Sequence, residues 1–153
     1  MPDDVEIRRA SPQEAEWCAR LMASSEPWLT LGRSHEDCLA RCRHPEYDLL
    51  VARIGGQPCG FALLHPRGLA GSPYLAAIAV DPQWRGRGIG TSLIQAAERL
   101  YPEARHLFLL VSSFNHGAQR LYERLGFQKV GEIPDYVIEG ASELILHKRL
   151  RTS

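Results

Sequence analysis

A strand-like run, Tyr74 to Val80, gives way to a helix-like run, Ile89 to Leu100, across Asp81-Pro82-Gln83-Trp84-Arg85-Gly86-Arg87-Gly88. Glycines stand at 86, 88 and 90, where one periodicity replaces the other. Glycine takes positive φ without penalty and lets another group approach the main chain closely. The first turn of a helix carries amides with no intrahelical acceptor, and the positive end of the helix dipole. A glycine-rich strand-to-helix turn is therefore a seat for an anion, usually a phosphate. Arg85 and Arg87 add positive charge beside it. A Walker loop would end in Gly-Lys-Ser/Thr, and Gly90-Thr91 lacks the lysine. A dinucleotide fingerprint has G-x-G-x-x-G near the start of a βαβ unit. These glycines alternate instead, and they lie past mid-chain.

A second motif follows, from Asn115 to Phe127: Asn-His-Gly-Ala-Gln-Arg-Leu-Tyr-Glu-Arg-Leu-Gly-Phe. Asn115 is a good N-cap. Ala118, Leu121 and Leu125 recur on one helical face, and Gly126 suits the position just past a helix end. Tyr122 sits at the edge of that stripe, as a half-buried tyrosine with a wet hydroxyl does.

Together, Arg85-x-x-Gly88-x-Gly90 and the Asn115-to-Phe127 motif resemble the two coenzyme A motifs of the GNAT superfamily of N-acetyltransferases. The resemblance covers essentially the whole chain in its order of elements. It implies a mixed α/β fold with a mostly antiparallel sheet of six to seven strands and about four helices. Strands 74–80 and 107–111 would lie side by side and splay apart at one end to admit pantetheine. It implies acetyl-CoA as co-substrate and no metal. Arg85, Gly86, Arg87, Gly88, Ile89, Gly90 and Thr91 would cradle the pyrophosphate, mostly through amides. The main chain at Ile78 and Val80 would meet the acyl arm, and Asn115 would act on pantetheine, as a plain N-cap, or both. Tyr122 would reach the coenzyme sulfur as general acid. The acceptor, a small-molecule or peptide amine, would be walled by residues 26–32 and 133–140, with Trp28, Asp135 and Tyr136 as candidate contacts. Trp28 as a simple core residue is the plain alternative.

The sequence departs from the family at one point. Ribosomal-protein N-terminal acetyltransferases carry a glutamate five residues before the motif asparagine, and that position is Leu110 here. The strand 74–80 offers no carboxylate either. Glu26, Asp135, Glu139 and Glu143 remain as carboxylates to watch. A non-catalytic acyl-CoA sensor is the second functional reading, and a nucleotide-binding module the third.

The remaining features bound these readings. With 153 residues, the chain suits one domain over 1–153. Its 18 basic and 18 acidic residues cancel, which argues against nucleic acid as the main partner. No apolar run approaches a membrane span, and Met1-Pro2-Asp3-Asp4 has no apolar signal core, so a cytoplasmic setting is expected. The oligomeric state stays open, a homodimer included. Cys18, Cys38, Cys42 and Cys59 make no spaced disulfide framework. His35, Cys38, Cys42 and His44 match no standard zinc module, and cysteines on the inner face of a short helix account for them.

Helices are expected at 12–23, 34–43, 88–101 and 116–125. Ser11-Pro12-Gln13-Glu14 reads as a capping box. Strands are expected at 5–8, 48–54, 59–65, 74–80, 107–111, from 127, and at 143–150, with loops around 68–73 and Pro134. The apolar run Leu107 to Val111 reads as a strand buried on both faces.

Overall fold

The computed structural model describes residues 4–151; Met1 to Asp3, most of the acidic start, lie outside them. The elements run β1 (Val5–Arg9), α1 (Pro12–Ala23), α2 (His35–Cys42), β2 (Asp48–Ile54), β3 (Gln57–Leu69) and β4 (Ser72–Val80). After a 3-10 turn at Pro82–Trp84 come α3 (Ile89–Leu100), β5 (His106–Ser112), α4 (His116–Arg124), β6 (Gln128–Pro134) and β7 (Ser142–Arg149). The seven strands form one sheet in the order β1-β2-β3-β4-β5-β7-β6. Every pairing is antiparallel except β4 with β5. This is the mixed sheet with four helices that the sequence led us to expect.

Local chemistry explains the framing elements. Ser11 caps α1 in both directions: its hydroxyl accepts from the Glu14 amide at 3.2 Å, and its own amide donates to Glu14 Oε1 at 2.9 Å. Ser34 and Asp37 repeat the device on α2. Glu14 also receives both guanidinium nitrogens of Arg8 at 3.0 and 3.1 Å, and a short contact from Arg53. One carboxylate thereby ties α1 to β1 and β2. Burial alone would raise its pKa, but the Ser11 amide, Arg53 and Arg8 outweigh that and hold it below the usual carboxylate range.

Two apolar cores sandwich the sheet. On one face, Ile89, Leu93 and Ala97 of α3 meet Leu75, Leu107, Leu109 and Leu146. On the other, Cys18, Met22 and Cys38 from α1 and α2 meet Val51, Phe61, Leu63 and Ala77. The four cysteines are buried and free, and burial pushes the Cys42 thiol up to about 12. Among the described residues no cluster of three metal-ligating side chains occurs, and no helix is long and apolar enough to cross a membrane.

Some expectations are corrected. The strand Leu107 to Val111 is not buried on both faces. Leu107, Leu109 and Val111 are buried and Phe108 and Leu110 are half-buried, because α1 and α2 cover the β2-to-β4 part of that face and stop short of β5. The 68–73 loop is the tip of a longer hairpin closed by Leu69 and Ser72, and Pro134 ends β6 rather than lying in a loop.

One irregularity positions everything that follows. Leu63 pairs with Ala77 and Leu64 with Leu75, so Ala76 is an extra residue in β4. Leu75 packs against α3, whereas Ala77, two residues on, packs against α1 and α2. In a regular strand, residues i and i+2 share a face; the bulge at Ala76 reverses that alternation.

Two outcomes are expected. A thiol reagent at neutral pH should leave all four cysteines unmodified in native protein and label all four in denaturant. Glu14→Gln should cost about 1–3 kcal/mol of stability at pH 7. Because the folded-state pKa of Glu14 lies below its unfolded value of 4.5, its contribution is present above pH 4.5 and lost as pH falls further. The gap between wild type and variant in urea melts should therefore narrow at acid pH.

Candidate active site

The parallel contact between β4 and β5 consists of two register pairs, Tyr74 with Phe108 and Leu75 with Leu109. From the bulge at Ala76 onward the strands separate, as expected for splayed strands. The gap opens into a cleft of about 1170 Å³ that runs from the start of α3, past the end of β5, to the segment after α1. Ile78 and Val80 line it, and their strand has no hydrogen-bonding neighbour on that side.

At one end lies the glycine turn. Gly86 and Gly88 have φ of 80° and 77°, a left-handed conformation that side chains resist. Gly88 is the N-cap of α3 and offers no side chain to the helix. The amide of Ser92 bonds to the Gly88 carbonyl, so the amides of Ile89, Gly90 and Thr91 precede the first helical bond and face the cleft end without a backbone acceptor. This is a site built of main chain, with the helix dipole behind it. Arg85 lines the cleft. Arg87 does not: its guanidinium lies 4.9 Å from the Trp84 ring centroid, so its side chain braces the turn.

In the middle stands Tyr122, on α4. The sequence expectation of a half-buried tyrosine with a wet hydroxyl is corrected: Tyr122 is 5% exposed. Its ring packs edge-on against Phe127 at 5.8 Å, and its side borders the cleft. Burial, then the nearby Tyr74 phenol, push its pKa well above the ordinary tyrosine value, so it holds its proton throughout the neutral range. Ala118 and Leu121, on the apolar stripe of α4, pack against the core and also line the cleft. Asn115 Oδ1 accepts the Ala118 amide at 3.3 Å, confirming the cap, and Asn115 also lines the cleft. Gln119 donates to the carbonyls of Ser112 and Ser113 at 3.1 and 3.0 Å, locking β5 to α4.

The far end gathers side chains. Trp28 does two things: it is 7% exposed in the core under α1, and it lines the cleft. Tyr136, 63% exposed, hangs over the opening. Asp135 is not part of the wall; its backbone is left-handed at φ 54°, and its Oδ1 accepts the Gly140 amide at 2.7 Å. It shapes the β6–β7 turn. Glu139 is exposed and away from the cleft. Glu26 lines it, but both its oxygens are taken by Thr30. The fourth watched carboxylate, Glu143, lines the cleft at 8% exposure and accepts from the Ser112 hydroxyl at 2.7 Å. The sequence reading missed Arg41 and Tyr74, which also line this end. Arg41 falls on the cleft side of α2 while Cys38 and Cys42 turn inward, a helical offset that was legible in principle. Burial pushes the Tyr74 phenol up to about 12.

Comparison with known proteins agrees with this geometry. The model of the acetyltransferase (GNAT) family matches residues 10–127. The peptidyl-lysine N-acetyltransferase YjaB of Escherichia coli is 31% identical over 83% of this chain and 84% of its own length. The N-alpha-acetyltransferase RimI of Mycobacterium tuberculosis is 33% identical over 82% and 77%. A crystal structure of an aminoglycoside 6'-N-acetyltransferase complexed with coenzyme A superposes with a TM-score of 0.81, at 17% identity, over 97% of this chain and 98% of that one. With a splayed sheet, an amide-lined turn at its mouth and a family model spanning most of its length, the chain belongs to the GNAT family of acetyltransferases.

Proposed function

We propose that this protein transfers an acetyl group from acetyl-CoA to a primary amine by direct attack in a ternary complex. The observation that carries this reading is the continuity of one cleft from the unsatisfied amides of residues 89–91, along the unpaired edge of β4, to the Tyr122 side chain. A diphosphate fits the first part, because glycine at 86 and 88 leaves the turn bare and the amides have no protein acceptor. An extended amide-bearing arm fits the second, because a strand edge offers main-chain donors and acceptors to it. The thioester supplies the activated acyl group. The relatives named as N-acetyltransferases, and the neighbour holding coenzyme A, support the same assignment.

The chain's own residues then have distinct tasks. Amides in the 78–80 stretch stabilise charge developing on the carbonyl oxygen. Tyr122 keeps its proton in its buried setting and delivers it to the departing sulfur. Trp28 and Tyr136 exclude water from the acceptor side. The four buried cysteines, which would stay reduced there, accord with a cytoplasmic setting.

Tyr122→Phe should leave coenzyme A affinity within about twofold by calorimetry. It should lower kcat by ~10²–10⁴; an unaltered kcat removes the general-acid role. Gly88→Val places a branched side chain on left-handed backbone at the amide seat. Coenzyme A should then bind at least about tenfold more weakly, with less effect on 3'-dephospho-coenzyme A than on pantetheine fragments lacking the diphosphate being the result that argues against a diphosphate seat.

A further inference from the structure

The acceptor end of the cleft includes one buried carboxylate, Glu143, and the guanidiniums of exposed Arg33 and half-buried Arg41, none of them in an ion pair among the described residues. Glu143 is 8% exposed, and its hydrogen-bond donor is the neutral Ser112 hydroxyl at 2.7 Å. Among the described residues it has no cationic partner, and Arg41 has no carboxylate partner. A buried carboxylate without a cation is costly unless something arrives to pair with it. Glu143, Arg41 and Tyr74 line the same cleft, and both charges bear on the Tyr74 phenol. The Arg41 guanidinium carbon also lies 5.8 Å from the Tyr47 ring centroid.

The register locates Glu143 relative to the chemistry. Leu110 pairs with Ile145, and Ser112 with Glu143, on the sheet face that carries the acceptor end. Glu143 is thus the diagonal neighbour of Leu110, within the roughly 7–8 Å over which long side chains on paired strands meet. The carboxylate missing from position 110 is supplied from β7, one step along the same face.

We propose that the acceptor is a small zwitterion, an amine carrying its own carboxylate as a free amino acid does, with its ammonium at Glu143 and its acid group at Arg41. This rests on the acetyl-transfer reading above. Charge complementarity selects the class: a bare amine satisfies Glu143 and leaves Arg41 empty, whereas an amino acid satisfies both. The reaction balances as follows. The ammonium gives one proton to Glu143, which releases it to water. The freed nitrogen forms the C–N bond while the C–S bond breaks. Tyr122 protonates the sulfur, and the second nitrogen proton restores the phenol. Net products are the amide, the thiol and one proton.

The test is thiol release from acetyl-CoA with a panel of free L-amino acids, each beside its own carboxamide and a dipeptide that begins with it. Each amino acid that turns over should exceed its carboxamide and dipeptide by about 10- to 100-fold in kcat/KM, the worth of a charged hydrogen-bonded pair. Arg41→Met should shrink that preference by lowering the rate with the acid at least about tenfold more than the rate with the carboxamide; Arg41→Lys should restore part of it. Glu143→Gln keeps the Ser112 hydrogen bond, and should lower kcat/KM by ~10²–10⁴. The residual rate should climb in proportion to hydroxide up to the pKa of the amine, a change of pH profile that a merely structural residue would not produce. If Glu143→Gln does not fold, Glu143→Asp, which keeps the charge, should lower kcat while retaining the wild-type profile. Equal rates for acids and carboxamides, a preference for dipeptides, an Arg41→Met loss common to both partners, or an unchanged Glu143→Gln profile each overturn the proposal. Calorimetry separates the layers. Coenzyme A binding with no amino-acid preference removes this inference alone, whereas no coenzyme A binding removes the transferase reading and this inference with it.

Discussion

The site exists because two neighbouring parallel strands stop pairing. After Leu75 meets Leu109, β4 and β5 share no further hydrogen bonds, and the main chain beyond that point needs other partners, since buried backbone groups are rarely left unmet. The bulge at Ala76 marks the parting. It turns Ala77 toward the helices α1 and α2 and gives Ile78 and Val80 to the opposite side. Both strands remain anchored elsewhere, β4 by β3 and β5 by β7, so the gap is held open by a sheet that is continuous around it. A single extra residue in one strand accomplishes what would otherwise need a separate loop.

Much of this was legible in the chain. The capping box at Ser11 and Glu14 was readable because its chemistry is local. The strand-to-helix turn was readable because glycine at alternating positions, with no side-chain cap available at 88, leaves few other conformations. The bulge was not legible. Tyr74-Leu-Ala-Ala-Ile-Ala-Val80 is apolar at every position after the tyrosine, and a change of face leaves no mark in a pattern without alternation. The same limit explains the misreading of β5: Leu107-Phe-Leu-Leu-Val111 has no polar residue to reveal that one side is half covered. Tyr122 was taken for a rim residue because it sits one step off the apolar stripe of α4; in the fold the stripe packs on the core and also reaches the cleft, and Tyr122 is itself buried against Phe127.

The acceptor end shows why a carboxylate cannot be ranked from sequence. Glu26, Asp135, Glu139 and Glu143 are alike as letters. In space, Glu26 is spent on Thr30, Asp135 on the Gly140 amide, and Glu139 on solvent. Glu143 alone of the four is both enclosed and short of a cation, which follows from long-range pairing of β5 with β7 that no local window contains. Position 110 carries no carboxylate; the pairing brings Glu143 diagonal to it.

The two ends of the cleft are made of different material. The anion end is peptide: amides whose direction is set by helix α3 and two left-handed glycines. The end proposed for the acceptor is side chains, among them Trp28, Arg33, Arg41, Tyr136 and Glu143, contributed by separate segments. Amides are common to every residue but proline, so the first end tolerates drift in most letters provided the turn persists. The second end changes its chemical taste with any one letter. On the proposed reading, a scaffold divided in this way separates inheritance of the donor from choice of the recipient, and new acceptors would become accessible by editing a few side chains while the donor half stays as it was.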